Sequence, residues 1–360
     1  MKNLPFLNLV LAVVLVATLG WLLVVGRPIL LPIVTAVISV YVMVSATEFM
    51  RRLPVLSRLP TSLLRLLVLL GFTVVIIAFA IVIASTAQEI AVVAPTYQTN
   101  LDMLVANIAS RFDLETQEIW DEIRKVTVDR IDLQRLALAI LGGFTSIGAS
   151  VFLVIVYAAF LMSERGAFAK KVAAAVANED LAKRTLQILT DINRRISDYL
   201  AVKTTINIIL GILSYAILWI AGVDFAAFWA ITIAVLNYIP YVGSYLGVAF
   251  PVILSLAQFG SLTATLVLLV FLTGAQILVG NFIEPRLIGR QLNLSPFAVL
   301  VALSLWGAMW GIPGAILAIP LTSIVVIVLS SFEQTRFLAV LIAERVEAGE
   351  PTRRQEAGGA

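Results

Sequence analysis

The chain is 360 residues long, 61% hydrophobic and only 13% charged, with a net charge of +3 and neither cysteine nor histidine. Disulfides, C-x-x-C redox chemistry, the usual zinc sites and histidine proton relays are therefore excluded. No G-x-x-x-x-G-K-[ST] is present to support ATP hydrolysis, no H-E-x-x-H or Ser-His intramembrane protease can be built without histidine, and no charge-free segment holds the two aspartates of a paired-aspartate protease. These absences predict a non-enzyme with no cofactor and no metal.

Charges are costly at the bilayer centre and a spanning helix needs about 20 apolar residues, so charge-free gaps count crossings. Gaps of 20 to 28 residues separate Lys2 from Arg27, Arg27 from Glu48, Arg65 from Glu89, Arg135 from Glu164 and Lys203 from Asp224. The first is too long for a signal-peptide core and is followed at once by another span, so it reads as a retained helix. Spans are predicted at about 6–26, 28–47, 66–87, 138–162 and 203–222. Basic residues mark cytoplasmic loops. Arg51, Arg52, Arg58 and Arg65 face a single acid, and the 164–203 linker carries eight basic residues against five acids, so both read as inside. The 89–135 stretch has nine acids against five basic residues and reads as outside. Both termini are then cytoplasmic.

Leu101, Leu104, Val105, Ile108 and Phe112 recur at helical spacing in the outer stretch, followed by Ile119, Ile123 and Val126. This predicts an extracytoplasmic helical module that packs on its own apolar stripe or on a neighbouring subunit, with a cap over a substrate as the lesser reading. The 164–202 linker also reads as helical, with Arg194 and Arg195 at the membrane surface.

Two long gaps follow, 59 residues from Asp224 to Glu284 and 42 from Arg290 to Glu333. Side-to-side parity requires an odd number of crossings in the first. The segment N-Y-I-P-Y-V-G-S-Y-L-G, Asn237 to Gly247, interrupts it with Pro240, Gly243 and Gly247 and leaves arms too short to cross. A re-entrant hairpin from the outside, turning near Pro240 and leaving near Gln258 to Ser261, followed by one full helix at about 262–283, satisfies the parity. The second gap is broken by W-G-I-P-G-A, Trp310 to Ala315, and reads either as an opposed hairpin or as two short spans. Irregular backbone at membrane depth survives where protein or water satisfies it, and opposed breaks point to a transport site. Gly243 with Gly247 and Gly307 with Gly311 are also G-x-x-x-G pairs that can simply pack helices.

Polar residues align with the breaks. Thr273, Gln276, Gly280 and Glu284 form a stripe, with Asn281 beside it, and Lys203, Asn207, Gly211 and Ser214 form another. An ion pair between Lys203 and Glu284 is one reading. The other leaves both charges among headgroups, which for Lys203 is the favoured one, while Glu284, followed by Pro285 and next to the long apolar run, is the candidate for coupling to protons or cations. The architecture expected is all-α: a polytopic helical membrane protein with about six full transmembrane helices, one or two re-entrant or broken hairpins in its C-terminal half and an extracytoplasmic helical module. Its regions are a three-helix N-terminal part (1–88), the outer module (89–137), a helix (138–163), a cytoplasmic linker (164–202), a transport core (203–332) and a cytoplasmic tail (333–360).

The blocks I-S-D-Y-L-A-V-K-T-T-I-N (Ile196 to Asn207), N-Y-I-P-Y-V-G-S, N-F-I-E-P-R-L-I-G (Asn281 to Gly289), L-N-L-S-P (Leu292 to Pro296) and W-G-I-P-G-A occur in an order and spacing that resembles the autoinducer-2 exporter family of bacterial permeases. The resemblance covers nearly the whole chain. It implies a homo-oligomer, with a pentamer favoured, in the bacterial inner membrane, exporting a small polar solute such as autoinducer-2 on an ion gradient, with no nucleic-acid partner. Family members similar to sodium or lithium/proton antiporters leave that activity as an alternative, and a channel as another. Within an alternating-access carrier, Asn237, Ser244 and Asn281 would offer hydrogen bonds, Pro240, Gly243, Gly311, Pro313 and Gly314 would shape the turns, and Glu284 would couple, with Lys203, Asn207, Gln276 and Thr273 as the supporting polar stripes.

Overall fold

A computed structural model describes residues 4–54, 56–112, 150–164, 171, 174–175, 178–288 and 293–344, and no strand occurs among them. The chain is all-α. In order, the described helices are α1 (Leu4–Val25), α2 (Arg27–Arg52), α3 (Thr61–Phe112), α4 (Ser150–Glu164), α5 (Glu179–Ile220), α6 (Ala226–Leu236), α7 (Val242–Phe259), α8 (Leu262–Ile288), α9 (Pro296–Ser330) and α10 (Arg336–Ile342). Among the described residues six helices are long and apolar enough to cross a membrane, and α4, α6 and most of α1 are shorter apolar helices. The second half of the outer module, residues 113–137, and the start of the span at 138–149 lie outside the described residues.

Charge boundaries and backbone boundaries do not coincide. The third span and the first part of the outer module form one 52-residue helix, α3, and the linker from Glu179 onward is continuous with the following span in the 42-residue α5. A helix leaving the bilayer needs no break, because water takes over the solvation of its charged residues while its backbone bonds stay internal. Asn178 starts α5 by accepting from the backbone N–H groups of Asp180 and Leu181, with Glu179 and Asp180 against the positive end of the helix dipole.

One hydrogen bond sets a common level at one end of the bundle. Ser45 Oγ on α2 donates to the Ser197 carbonyl on α5 at 3.1 Å, so the closing Arg51 and Arg52 of α2 and the exposed Arg194 and Arg195 of α5 lie at the same end. This is the basic end below, and the opposite one is the far end. Lys203 lies nine residues, about 13 Å along the helix, inward from Arg194.

Both breaks in the C-terminal half are hairpins. In the first, α6 and α7 are 11 and 18 residues long, about 16 and 27 Å, and their distal ends meet at the far end. There the Asp224 backbone N–H donates to Gln258 Oε1 at 2.8 Å, and Gln258 Nε2 donates to the Gly222 carbonyl at 2.8 Å. The turn is tight: a Cβ on Gly243 would lie 1.8 Å from the Leu236 carbonyl oxygen. Tyr241 has φ +62° and ψ −64°, and the Val242 N–H donates to the Pro240 carbonyl at 2.6 Å, a γ-turn of the rare positive-φ kind. Such a conformation stores strain of order 1–3 kcal/mol in a non-glycine residue.

The second break reverses the chain, with its tip at the end of α2 opposite Arg51 and Arg52. α9 reverses at Gly311, whose φ +69° and ψ −147° only glycine adopts readily. Its arms, residues 296–310 and 312–330, lie side by side: Trp306 Nε1 donates to Thr322 Oγ1 at 3.1 Å, and Gly314 sits so close to the Trp306 carbonyl that a Cβ would be 2.1 Å from it. Both ends return to the basic end, where Arg184 of α5 donates to the Ser331 carbonyl and stacks over Phe332. The hairpins therefore enter from opposite ends. Leu236 and Ile239 at the tip of the first pack into Ala302, Leu303 and Ala318 on the arms of the second.

Gly243→Ala should lower thermal stability in detergent by about 2–3 kcal/mol or abolish assembly, because a methyl has no room beside a backbone oxygen. Gly274→Ala, which meets nothing within 4 Å, should be neutral or slightly stabilising. Equal unfolding temperatures for the two variants would contradict the tight first turn.

Candidate functional site

The first hairpin's tip enters a polar column built on α5 and α8. α5 presents Lys203, Asn207 and Ser214 on its buried face, alternating at helical spacing with Ile206, Leu210 and Leu218, which pack against Ile233, Leu268 and Leu272. At the base of the column Lys203 Nζ and Glu284 Oε1 form an ion pair at 2.5 Å, with the lysine side chain 5% and the glutamate 25% exposed. The headgroup reading of Lys203 is thereby corrected: the ammonium is held by its partner well inward of the arginines instead of extending to the surface, since an uncompensated charge there would be prohibitive.

Above the pair, Asn237 Nδ2 at the hairpin tip donates to Asn207 Oδ1 at 2.8 Å, and Ser244 Oγ donates to Asn237 Oδ1 at 3.4 Å. Thr204 Oγ1 and Tyr238 OH lie 2.7 Å apart, a second bridge between α5 and the tip. Asn207 and Asn237 are buried. One buried polar atom in this region, Gln276 Nε2, has no hydrogen-bond partner among the described residues. A buried donor left unmade costs about 1–3 kcal/mol, so this N–H group calls for a partner that the described residues do not supply. Gln276 is next to the hairpin, with Nε2 3.6 Å from the position a Cβ on Gly247 would take.

Glu284 owes its aim to an irregularity with no sequence signature. α8 widens into a π-helix over Leu278–Ile283 and returns to α-helical form at Glu284. Such wide turns are rare and gather at functional sites. Thr273, Gln276 and Glu284 are half-buried along the column, whereas Gly280, Asn281 and Pro285 are exposed. Asn281 is thus not brought to the other predicted site residues.

Gly311, Pro313 and Gly314 do not meet the first tip either. The second tip rests against the α1–α2 elbow, where Trp310 Nε1 donates to the Leu23 carbonyl at 3.0 Å and the Arg27 guanidinium reaches the surroundings of Gly311. The second hairpin meets the column through the flanks of its arms. Pro240 and Gly243 shape the first turn, as expected of them.

Two features were not singled out from the sequence. Tyr238 belongs to the N-Y-I-P-Y block, where its polar tip amid apolar neighbours was the available signal. The other is a polar cluster at the far end. Tyr97 OH donates to Asp224 Oδ2 at 2.7 Å, Asn100 Nδ2 donates to the Gln258 carbonyl at 2.6 Å, and Gly260, at φ +54°, lies against the Asn100 carbonyl. The extension of α3 thus clasps both ends of the first hairpin. Burial, then its bond to Asp224, holds the Tyr97 phenol well above its usual pKa, so it remains a donor. Beside this clasp is a cavity of about 600 Å³ whose lining includes Ser85, Thr86, Glu89, Tyr215 and Asp224.

The family model for AI-2E family transporters matches residues 9–334. The chain belongs to this family. It is 34% identical over 249 residues to a transport protein of Borreliella burgdorferi, covering 69% of this chain and 67% of the relative. It is 34% identical over 200 residues to the AI-2 transport protein TqsA of Escherichia coli, covering 54% and 56%. A transport protein of Haemophilus influenzae is 27% identical over 322 residues, covering 88% and 89%. Family membership and the apolar helices together make this a multi-pass membrane transporter.

Lys203→Met leaves the Glu284 carboxylate without its counter-charge and should cost about 2–4 kcal/mol, less than a fully enclosed pair because Glu284 is partly exposed. Lys203→Met with Glu284→Gln should recover most of that loss. Additive losses in a thermal-unfolding double-mutant cycle would contradict the pairing.

Proposed function

We propose that the chain is an ion-gradient-driven exporter of a small polar solute, with autoinducer-2 as the first candidate, and that the Lys203–Glu284 pair couples transport to the gradient. The observation that carries this reading is the pair itself: two opposite charges 2.5 Å apart, largely withdrawn from solvent, at the base of a column of amides and hydroxyls. Protonating Glu284, or placing a cation against it, releases Lys203 and removes the charged link between α5 and α8, leaving their apolar contact. Asn207, Asn237, Ser244 and Gln276 supply neutral hydrogen-bonding groups suited to a hydroxyl- or carbonyl-bearing solute. The likeness to TqsA, named as an AI-2 transport protein, supports the solute.

The basic end faces the cytoplasm of a bacterial inner-membrane protein on this reading, consistent with the bias of Arg51, Arg52, Arg58 and Arg65. The first hairpin then enters from outside, the second from inside, and the working unit is a homo-oligomer, with a pentamer favoured. The same ion pair also suits sodium or lithium/proton antiport, in which the cation and the proton compete for Glu284.

Proteoliposomes preloaded with autoinducer-2 separate the two. Gradient-dependent release is expected for the wild type, with Glu284→Gln losing at least ~10-fold of the rate and its dependence on pH, since one interaction of ~1.4 kcal/mol made only in the coupled state accounts for that factor. Unchanged release and pH dependence in the variant would remove Glu284 from the mechanism. No release above empty liposomes, with sodium-dependent proton movement instead, would favour the antiporter.

A further inference from the structure

A second concave site lies away from the polar column, between α3 and α4 at the basic end. It is a groove of about 340 Å³, a volume within the range of small-molecule clefts. On α3, Ser62, Arg65, Leu66 and Leu69 fall on one helical face, and on α4, Ala159, Met162 and Ser163 do the same. The adjoining faces of both helices are committed to the core: Val68 on α3 and Val154 and Ala158 on α4 pack with Ala36, Val40 and Met43 of α2, and Met162 belongs to both the core and the groove floor. The groove is therefore an outer seam of a fixed three-helix unit.

Its chemistry is graded along its length. Ser62 is in the first turn of α3 and Ser163 in the last turn of α4, and Arg65 is one turn inward of Ser62. Below them the walls are aliphatic. Arg65 carries the groove's one charge and makes no ion pair among the described residues. The nearby acid in the chain, Glu164, is engaged by Lys171 at 3.2 Å, so among the described residues it is not a partner of Arg65. Arg58, in the short turn Leu56–Arg58 before α3, adds a second cation near the same level.

We infer that this α3–α4 groove binds one anionic phospholipid, its phosphate held by Arg65 with Ser62 and Ser163 and an acyl chain laid along Leu66, Leu69, Ala159 and Met162. A planar guanidinium with hydroxyl donors matches phosphate oxygens, and an apolar floor next to them excludes a ligand that is polar throughout. Basic pockets between helices at one face of a membrane bind anionic headgroups for this reason. The occupant wedges α3 against α4 and so stabilises the unit that carries the far-end clasp through the remainder of α3.

The full-length protein in phosphatidylcholine nanodiscs, titrated with phosphatidylglycerol and followed by native mass spectrometry and thermal unfolding, tests this. Wild type should retain a bound phosphatidylglycerol and unfold at a higher temperature as its fraction rises. Arg65→Gln should weaken retention about 5-fold, the effect of one cation at an anionic surface, with Arg65→Lys between that variant and wild type because it keeps the charge and loses the planar fork, and Arg58→Gln, outside the groove lining, weakening it less than Arg65→Gln. Ala159→Phe, which fills the apolar floor without touching charge, should also expel the lipid while leaving unfolding in pure phosphatidylcholine close to that of wild type. Equal retention by wild type, Arg65→Gln and Ala159→Phe would overturn the assignment. So would stabilisation by water-soluble glycerol phosphate equal to that by phosphatidylglycerol, since a free phosphate would then be the ligand.

Discussion

A backbone that turns around inside a bilayer has no water to hydrogen-bond its exposed N–H and C=O groups, and that requirement governs the C-terminal half of this protein. Each of the two turns meets it differently. At the first, the Val242 and Gly243 N–H groups are satisfied locally by the carbonyls of Pro240 and Ile239, and the side chain of Asn237 is anchored on α5. At the second, Gly311 takes a conformation closed to other residues and the adjoining Trp310 finds its acceptor on α1. The N-terminal helices thus serve partly as the environment that makes an irregular turn tolerable.

The same requirement explains why the polar residues concentrate where they do. Amides and hydroxyls near the first turn satisfy the turn and hold it against α5, and the Gln276 amide beside it keeps an N–H unused among the described residues. An apolar turn would be better packed but would offer a solute nothing. The two hairpins approach from opposite ends and meet through Leu236 and Ile239 against Ala302, Leu303 and Ala318, so a displacement of one changes the packing of the other. The clasp at Tyr97, Asn100, Asp224 and Gln258 restrains the far end of the first hairpin, and Asn207 with Thr204 restrains its tip. Its arms share an apolar core with α5 and α8 through Ala230, Ile233 and Val248, while its two extremities are fixed by a few polar bonds, each worth roughly 1 kcal/mol net.

Much of this was legible in the sequence because charge is so costly in lipid. The gaps between charges located the crossings, Pro240 with Gly243 located the first turn, and the parity of the basic loops required that turn to be a hairpin. The helix boundaries were not legible: Glu89 and Lys203 interrupt an apolar run without interrupting a helix, since a side chain can be solvated, or paired, while the backbone continues. Lys203 illustrates the limit well. Its partner is 81 residues away, and only the packing of α5 on α8 decides between a headgroup lysine and an enclosed ion pair. Within the candidate site, Asn207, Asn237, Ser244, Gln276 and Glu284 could be drawn together from polarity alone, but Asn281 could not be separated from them, because helical spacing assumes 3.6 residues per turn and α8 departs from it just there.

That departure has a consequence for how the protein tolerates change in length. A π-helical turn holds one residue more than an α-helical turn would over the same rise. Losing a single residue between Leu278 and Ile283 would let α8 close into regular helix with its flanking segments still aligned, whereas closing it with every residue kept would rotate everything after it by about 100°. Glu284 would then point away from Lys203 although both were still present. The alignment of the charge pair is written into the number of residues in that segment, and an inventory of side chains does not contain it.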